Sequence, residues 1–511
     1  MNPKAKKILL VVLAAMLLFA SGQVQTSMNV DRTRLGLTRV AALDNAPPML
    51  AFTTVALGGF RGLISNLLWM RANDLQQDDK FFEAVQLANW ITELEPHFTQ
   101  VWLFLSWNMA YNISVKFKDF PDRWRWVERG ISLLRDQGLC YNPDDILIHR
   151  ELSWFFQHKM GQNLDDANMY YKLEWSKEMQ PYFGPNGTNF DALIHPTTPE
   201  EVRRLHQFTN EFKINPEFAK QVDEKYGPLD WRLPEAHAIY WAAQGLDDAS
   251  RHPDKVKQDD IMTLRRSIYQ SVFQAFHHGR LIVNPFQEDS IQEAPNLALI
   301  PEVNAAYEEM MKADPQMAEH ISTAHRNFLR DAVYFLYEDN HVAEAAKWFK
   351  YLGDKYPNKT IIEGQTNSFP RNVTLDEFAV DTVQIDVNET SQERVTSAIE
   401  GLLLRAYSDL AIGQDDRFEG EKLLAEKVYQ RYVNKAYGSG GNKRLALPPF
   451  PILNKFVVNQ LLDPQQGVPY AARLALRTQL GLPAETNAPA ILLTNAPDTT
   501  LTNAPVVQPV Q

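Results

Sequence analysis

The sequence predicts an all-α protein: a helical solenoid of stacked antiparallel helix pairs with irregular insertions. An N-terminal signal or anchor precedes it and a disordered C-terminal tail follows. Three observations carry this prediction. Beyond residue 60 apolar residues recur at spacings of three and four, the period of a helix with one buried face. Short polar turns separate successive helical stretches, and prolines close several of them. Hydrophobic residues make up 45% of the 511 and charged residues 22%, which excludes wholesale disorder and leaves enough apolar matter for a large core.

Residues 1–22 read as an export segment. Lys4, Lys6 and Lys7 give a positive start, Ile8 to Ala20 is an unbroken apolar run, and Ala20-Ser21-Gly22 offers small residues for a signal peptidase. The run is shorter than the roughly 20 residues of a comfortable span. With no charge between Lys7 and Asp31, however, an uncleaved anchor extending through Ser21 to Met28 is the alternative to a cleaved signal. No cysteine follows the run, so a lipoprotein anchor is excluded. Both readings place the body in the cell envelope, exported or membrane-anchored. Residues 23–60 are expected as a linker or membrane-proximal segment. Arg32, Arg34 and Arg39 either rest against anionic lipid or sit in a solvated linker. The stretch from Pro47 to Phe60, broken by Gly58-Gly59, is too short for a second span.

Four stretches make up the body: helix pairs over 61–180, an irregular helical region over 181–325, a single clear unit over 326–357, and a C-terminal helical region over 393–483. In the clearest unit, Phe328, Leu329, Ala332, Val333 and Leu336 lie on a first helix and Glu338-Asp339-Asn340 make the turn. Val342, Ala345, Phe349 and Leu352 share one face of a second helix, and Pro357 closes the unit. Leu68 to Pro96 repeats the scheme with Ala72 and Leu75, the turn Asp78-Asp79-Lys80, and Ala84, Ala88 and Ile91. Looser pairs follow: a unit starting at Trp102 with an insertion from Asn112 to Asp122 before Arg123–Leu139, then Ile146–Lys159 with Leu164–Lys177, and Val395–Ile412 with Phe418–Tyr432. In the middle region, Pro234–Gly245 and Met262–His278 read as one long-linked pair. The segment 358–392 is expected as an extended insertion, since Val383, Ile385 and Val387 alternate with polar residues as in a strand. Residues 484–511 are low complexity, with Thr-Asn-Ala-Pro recurring from Thr486, Thr494 and Thr502, and cannot bury a core.

Small residues early in the second helices, with prolines closing the units, resemble the tetratricopeptide repeat (TPR), a 34-residue helix–turn–helix, here as a divergent bacterial envelope member. The resemblance covers about two-fifths of the chain. It implies that the first helix of each pair lines a concave, partner-binding face. Mapped onto the matching units, that face presents Trp69, Asn73 and Gln76, then Trp107 and Tyr111, and in the later unit Asn327, Arg330, Tyr334 and Tyr337.

Chemistry is sparse. The net charge of −12 argues against nucleic acid as the main partner, and the positive balance of +5 through residue 70 leaves −17 for the rest. The single cysteine, Cys140, excludes an internal disulfide, a CxxC pair and a cysteine-built metal site. No phosphate-binding, nucleophile-elbow or HExxH motif is present, so no cofactor, metal or catalytic residue is assigned. Paired acids such as Asp144/Asp145, Asp165/Asp166 and Asp259/Asp260 sit where helices start, a capping position. The implied function is a non-catalytic scaffold docking a protein or peptide on rings interleaved with amides. A glycan-binding or polysaccharide-assembly component and a self-associating structural protein are the alternatives.

Overall fold

The computed structural model describes residues 60–253, 256–287, 291–313, 315–385, 392–438, 447–483 and 485, with 16, 20, 22–24, 27 and 28. The expected signal, most of the segment 23–60 and the Thr-Asn-Ala-Pro tail lie outside the described residues. Helix accounts for 76% and strand for 2%, so the all-α class holds. The helices are α1 (Phe60–Gln77), α2 (Phe81–Leu94), α3 (Thr99–Trp107), α4 (Phe120–Ser132), α5 (Ile146–Trp154), α6 (Asn168–Phe183), α7 (Pro199–Phe212), α8 (Pro216–Tyr226), α9 (Pro234–Arg251) and α10 (Gln258–His278). A two-stranded antiparallel hairpin follows, β1 (Arg280–Val283) with β2 (Ile291–Ala294), in register Arg280 to Ala294. The chain continues through α11 (Ile300–Ala313), α12 (Ala318–Glu338), α13 (Val342–Lys355), α14 (Leu375–Ile385), α15 (Gln392–Ala411), α16 (Asp415–Gly438), α17 (Phe450–Leu461) and α18 (Tyr470–Gln479). Among the described residues no helix is long and apolar enough to cross a membrane.

The chain forms two units. The first runs to Tyr182 and takes in Asn189–Lys220 and His237–Ile268; the second comprises Phe183–Thr188, Gln221–Ala236 and the chain from Tyr269 on.

In the first unit, α1 and α2 meet at a turn whose apex, Asp79, is left-handed at φ 59°. The Lys80 N–H donates to Leu75 O at 2.8 Å and the Asp79 N–H to Gln76 O at 3.1 Å, satisfying carbonyls at the end of α1. Ala84 and Ala88 are fully buried. Ring contacts link alternate helices. Trp69 of α1 lies edge-on to Phe104 of α3 at 4.9 Å, and Tyr111, just past α3, meets Phe155, just past α5, at 5.7 Å. Among the second helices, Phe82 of α2 meets Trp126 of α4 at 5.7 Å, and Trp124 of α4 meets Tyr171 of α6 at 5.9 Å. Close approach of α4 depends on Gly130, where a Cβ would stand 3.0 Å from Ser106 O. Beyond α5, the Ser153 hydroxyl donates to Ala238 O of α9 at 2.8 Å, and His149 pairs with Asp248 at 2.8 Å with both side chains buried.

In the second unit the same turn recurs twice. Between α12 and α13, Asn340 is left-handed at φ 62°, and the His341 N–H donates to Leu336 O at 2.7 Å. Between α15 and α16, Gly413 takes φ 79° and the Gln414 N–H donates to Asp409 O at 2.9 Å. Ala345 is fully buried, as Ala84 is in the first unit. His325 is an enclosed core residue, 2.8 Å from both the Tyr356 hydroxyl and Asn304 Oδ1.

Several expectations are corrected. The alternation at 378–387 is not a strand through Ile385: α14 occupies it. Thr374 and Glu377 form a reciprocal N-terminal cap, the Glu377 N–H donating to Thr374 Oγ1 at 3.2 Å and the Thr374 N–H to Glu377 Oε2 at 2.8 Å. Consecutive burial of Phe378, Ala379 and Val380 also breaks the two-residue period. The segment 358–392 is therefore not extended throughout. The helix expected from Leu164 starts at Asn168; Asp165 stands in the turn before it, pairing with Lys159 and Arg123 and accepting from the Ala167 N–H. The insertion from Asn112 to Asp122 is a wide turn with a short 3₁₀ turn, and α4 already starts at Phe120. The β1–β2 hairpin was not foreseen.

Candidate functional site

In the first unit, α3, α4 and α5 each end in a widened π-turn: Asn108–Ile113, Leu133–Gly138 and Phe155–Met160. Such turns insert an extra residue and re-aim the side chains around them. The first and third bring Tyr111 and His158 together, the hydroxyl 3.1 Å from Nδ1. Trp107 stacks on Tyr111 at 4.1 Å, and Trp154 stacks on His158 at 4.4 Å. The result is a ladder of four aromatic rings, Trp107 being 37% exposed at its end.

Tyr111 and His158 wall a cavity of about 340 Å³, with the exposed side chains of Val115 and Leu164 also lining it. Lys159 and Asp165, paired at 2.6 Å, contribute the charged part of the lining together with Arg123 and Asp166. Asp165 also accepts from the Tyr171 hydroxyl at 3.1 Å, the Ala167 N–H at 2.9 Å and Arg123 at 3.1 Å. Against burial, which pushes it up, Lys159 first, then the Ala167 N–H and the Tyr171 hydroxyl, hold the Asp165 carboxyl at about 2. Burial lowers His158, helped by the charge of Lys159, so its imidazole is neutral near pH 7. The acid pair Asp165-Asp166 is thus more than a helix cap, and the sequence reading missed this role. Asp145 does cap α5, accepting from the Leu147 N–H at 3.0 Å.

The sequence-selected residues fall into distinct settings. Trp69, Asn73 and Gln76 are half-buried on α1; Trp69 packs on Phe98 and Phe104, and Asn73 Nδ2 donates to Trp69 O at 3.0 Å. Trp107 and Tyr111 are brought together. Asn327 is exposed and Arg330 half-buried; both line one cavity in the second unit. Tyr334 is half-buried with its hydroxyl 3.4 Å from Glu338 Oε1. Tyr337 is corrected to a core residue. The i, i+4 series Leu329, Val333, Tyr337 lies on the buried stripe of α12, and the Tyr337 hydroxyl donates to Asp376 at 2.7 Å.

A second cleft in the first unit, of about 580 Å³, gathers Glu128, Glu178 and Glu211 beside Tyr182 and Phe212. Burial, and next the charge of Glu128, raises the Glu178 carboxyl to about 7. No sequence motif marks this cluster, because its acids come from three helices. Among the described residues no group of three or more His, Cys, Asp or Glu is arranged to hold a metal ion.

The chain matches no protein-family model, no curated protein and no solved structure.

Proposed function

We propose that this protein is a tetratricopeptide-like docking scaffold of the cell envelope, exported or anchored by its N-terminal segment, that holds a protein or peptide partner. The observation that carries the reading is the first-unit cavity between successive first helices. Its walls include the rings of Tyr111 and His158 and the exposed Val115 and Leu164, and the exposed ring of Trp107 stacks on Tyr111. An apolar or aromatic side chain of an extended peptide fits such a lining, and rigid rings give contact area at small entropic cost. The solenoid reading is supported by the alternating ring contacts from α1 to α3 to α5 and from α2 to α4 to α6. The recurrence of one left-handed turn at Asp79, Asn340 and Gly413 supports it further.

The test is capture from envelope extract by the full chain, with mass spectrometry of what is retained, beside Trp107→Ala and Leu164→Asp. Both positions are exposed, so both variants keep their helical signal. A specific peptide or protein partner lost in both variants supports the reading; retention undiminished in both refutes it.

The glutamate cluster around Glu178, in a cleft that also carries Lys177, Arg203 and Arg204, favours one second reading, a glycan-active protein, since a carboxyl held near 7 beside other acids and rings is a general-acid setting. Glu178→Gln abolishing release of sugar from envelope polysaccharide supports that reading, and an inert wild-type protein removes it.

A further inference from the structure

Arg326 and Arg330 stand one turn apart on α12 and line a cavity of about 480 Å³ in the second unit. The remaining lining comes from Asn327 and from the loop between Thr360 and Thr366, which turns at Gly364 with φ 71°. The Nε of each arginine is shut off from solvent and has no hydrogen-bond partner. Among the described residues neither of these half-buried guanidinium groups meets a carboxylate at ion-pair distance. Burial pulls Arg330 below its usual range, and the charge of Arg326 adds to this against Asp331 and Glu363. The neutral lining is uncommitted too. Among the described residues no hydrogen bond engages the hydroxyls of Thr360 and Thr366 or the side-chain amides of Asn327 and Gln365.

Two like charges with no carboxylate partner, lining a space large enough for a small molecule, call for an anion. The donors come from a helix face and from a separate loop, and they outnumber what a planar carboxylate accepts. A phosphoryl group, with three terminal oxygens, uses more of them. The overall charge of −12 disfavours a nucleic acid strand as the source. We propose that this cavity is a binding site for the phosphate monoester of a small molecule. Arg326 and Arg330 hold the phosphoryl oxygens, the Thr360 and Thr366 hydroxyls donate to them, and the organic part lies beside Ile362. Glu363, the carboxylate in the lining, weakens the site and sets its selectivity against more highly charged anions. The inference is independent of the docking reading, which concerns the first unit.

The experiment is isothermal titration of the full chain, in low-salt buffer without phosphate, with phenyl phosphate, inorganic phosphate and benzoate. Phenyl phosphate is expected to bind one to one with a Kd below about 1 mM, inorganic phosphate more weakly and benzoate most weakly. Arg326→Gln and Arg330→Gln should each weaken phenyl phosphate about tenfold or more, and Glu363→Gln should tighten it. Circular dichroism melting checks the fold of each variant. Should an arginine variant lose its helical signal, Thr360→Val and Thr366→Val carry the test, with a several-fold loss expected. The proposal is overturned by no binding up to about 10 mM. It is equally overturned by binding undiminished in the arginine and threonine variants, by tighter binding of benzoate, or by binding seen only in Glu363→Gln, where Glu363 itself would be closing the cavity.

Discussion

Glu421 is a carboxyl with no exposed surface, on α16 in the second unit, and its ionisation is expected to make stability fall as pH rises. The two cations near it are held more closely by other acids. Arg405 is 2.9 Å from Glu338 and Arg417 is 2.7 Å from Asp409, whereas Glu421 meets them only at 3.5 and 3.7 Å. Neither Glu421 oxygen has a hydrogen-bond partner. Burial raises the carboxyl from 4.5 to about 8; Glu338 and Asp409 push the same way, and Arg405 and Arg417 oppose them. Because the folded state then binds the proton more tightly than the unfolded chain, the contribution is whole below pH 4.5. It declines as pH rises and levels off above about 8. At about 1.4 kcal/mol per unit, the full decline is about 5 kcal/mol. Glu421→Gln keeps the shape of the protonated acid and removes the titration. It is expected to match wild type within about 1 kcal/mol near pH 5 and to exceed it by several kcal/mol near pH 8.5. Urea denaturation followed by circular dichroism at both pH values measures the difference. A stability difference between variant and wild type that does not change with pH refutes the reasoning.

Gly420→Ala places a Cβ 2.0 Å from Glu338 O and 2.7 Å from Asn340 N, so α16 must back away from the end of α12. A loss of about 2–3 kcal/mol or more is expected in the same denaturation assay. The left-handed turns give a matched pair: Gly413→Ala should cost about 1 kcal/mol, whereas Asp79→Gly should gain a few tenths to about 1, both read as shifts in Tm. Burial lowers His325 from 6.5 to about 4, with Lys355 adding and Glu308 opposing. The unfolded chain therefore takes the proton first, and stability falls as pH drops from 6.5 toward 4. The loss approaches about 3 kcal/mol, and histidine proton resonances followed by NMR should show His325 neutral at pH 6.

Much of the helical order was readable because helices announce themselves locally. Proline, turn residues and apolar spacing within about ten residues bracketed α1–α2 and α12–α13, and Ala84 and Ala345 are buried as their positions implied. The same local reading failed over 378–385, where the two-residue alternation drew attention from the Thr374 and Glu377 cap signal. It failed also at Tyr337, where aromatic character was weighed above the i, i+4 stripe that buries it. At the two cavities, Trp107, Asn327 and Arg330 were legible as helical side chains, whereas Tyr111, read as helical, lies in the π-turn past α3. Their partners were not legible: His158, Asp165 and the loop from Thr360 come from elsewhere in the chain.

By itself, then, the sequence determined that the chain is helical, where the clearest pairs α1–α2 and α12–α13 turn, and that it carries no cysteine framework or familiar catalytic motif. Only the tertiary structure decided which charges are stranded and which cavities exist. Hydrogen bonding along a helix and the spacing of its buried stripe are settled between near neighbours. An unmatched guanidinium such as Arg330, or a proton retained by Glu421, depends on what residues far along the chain fail to supply.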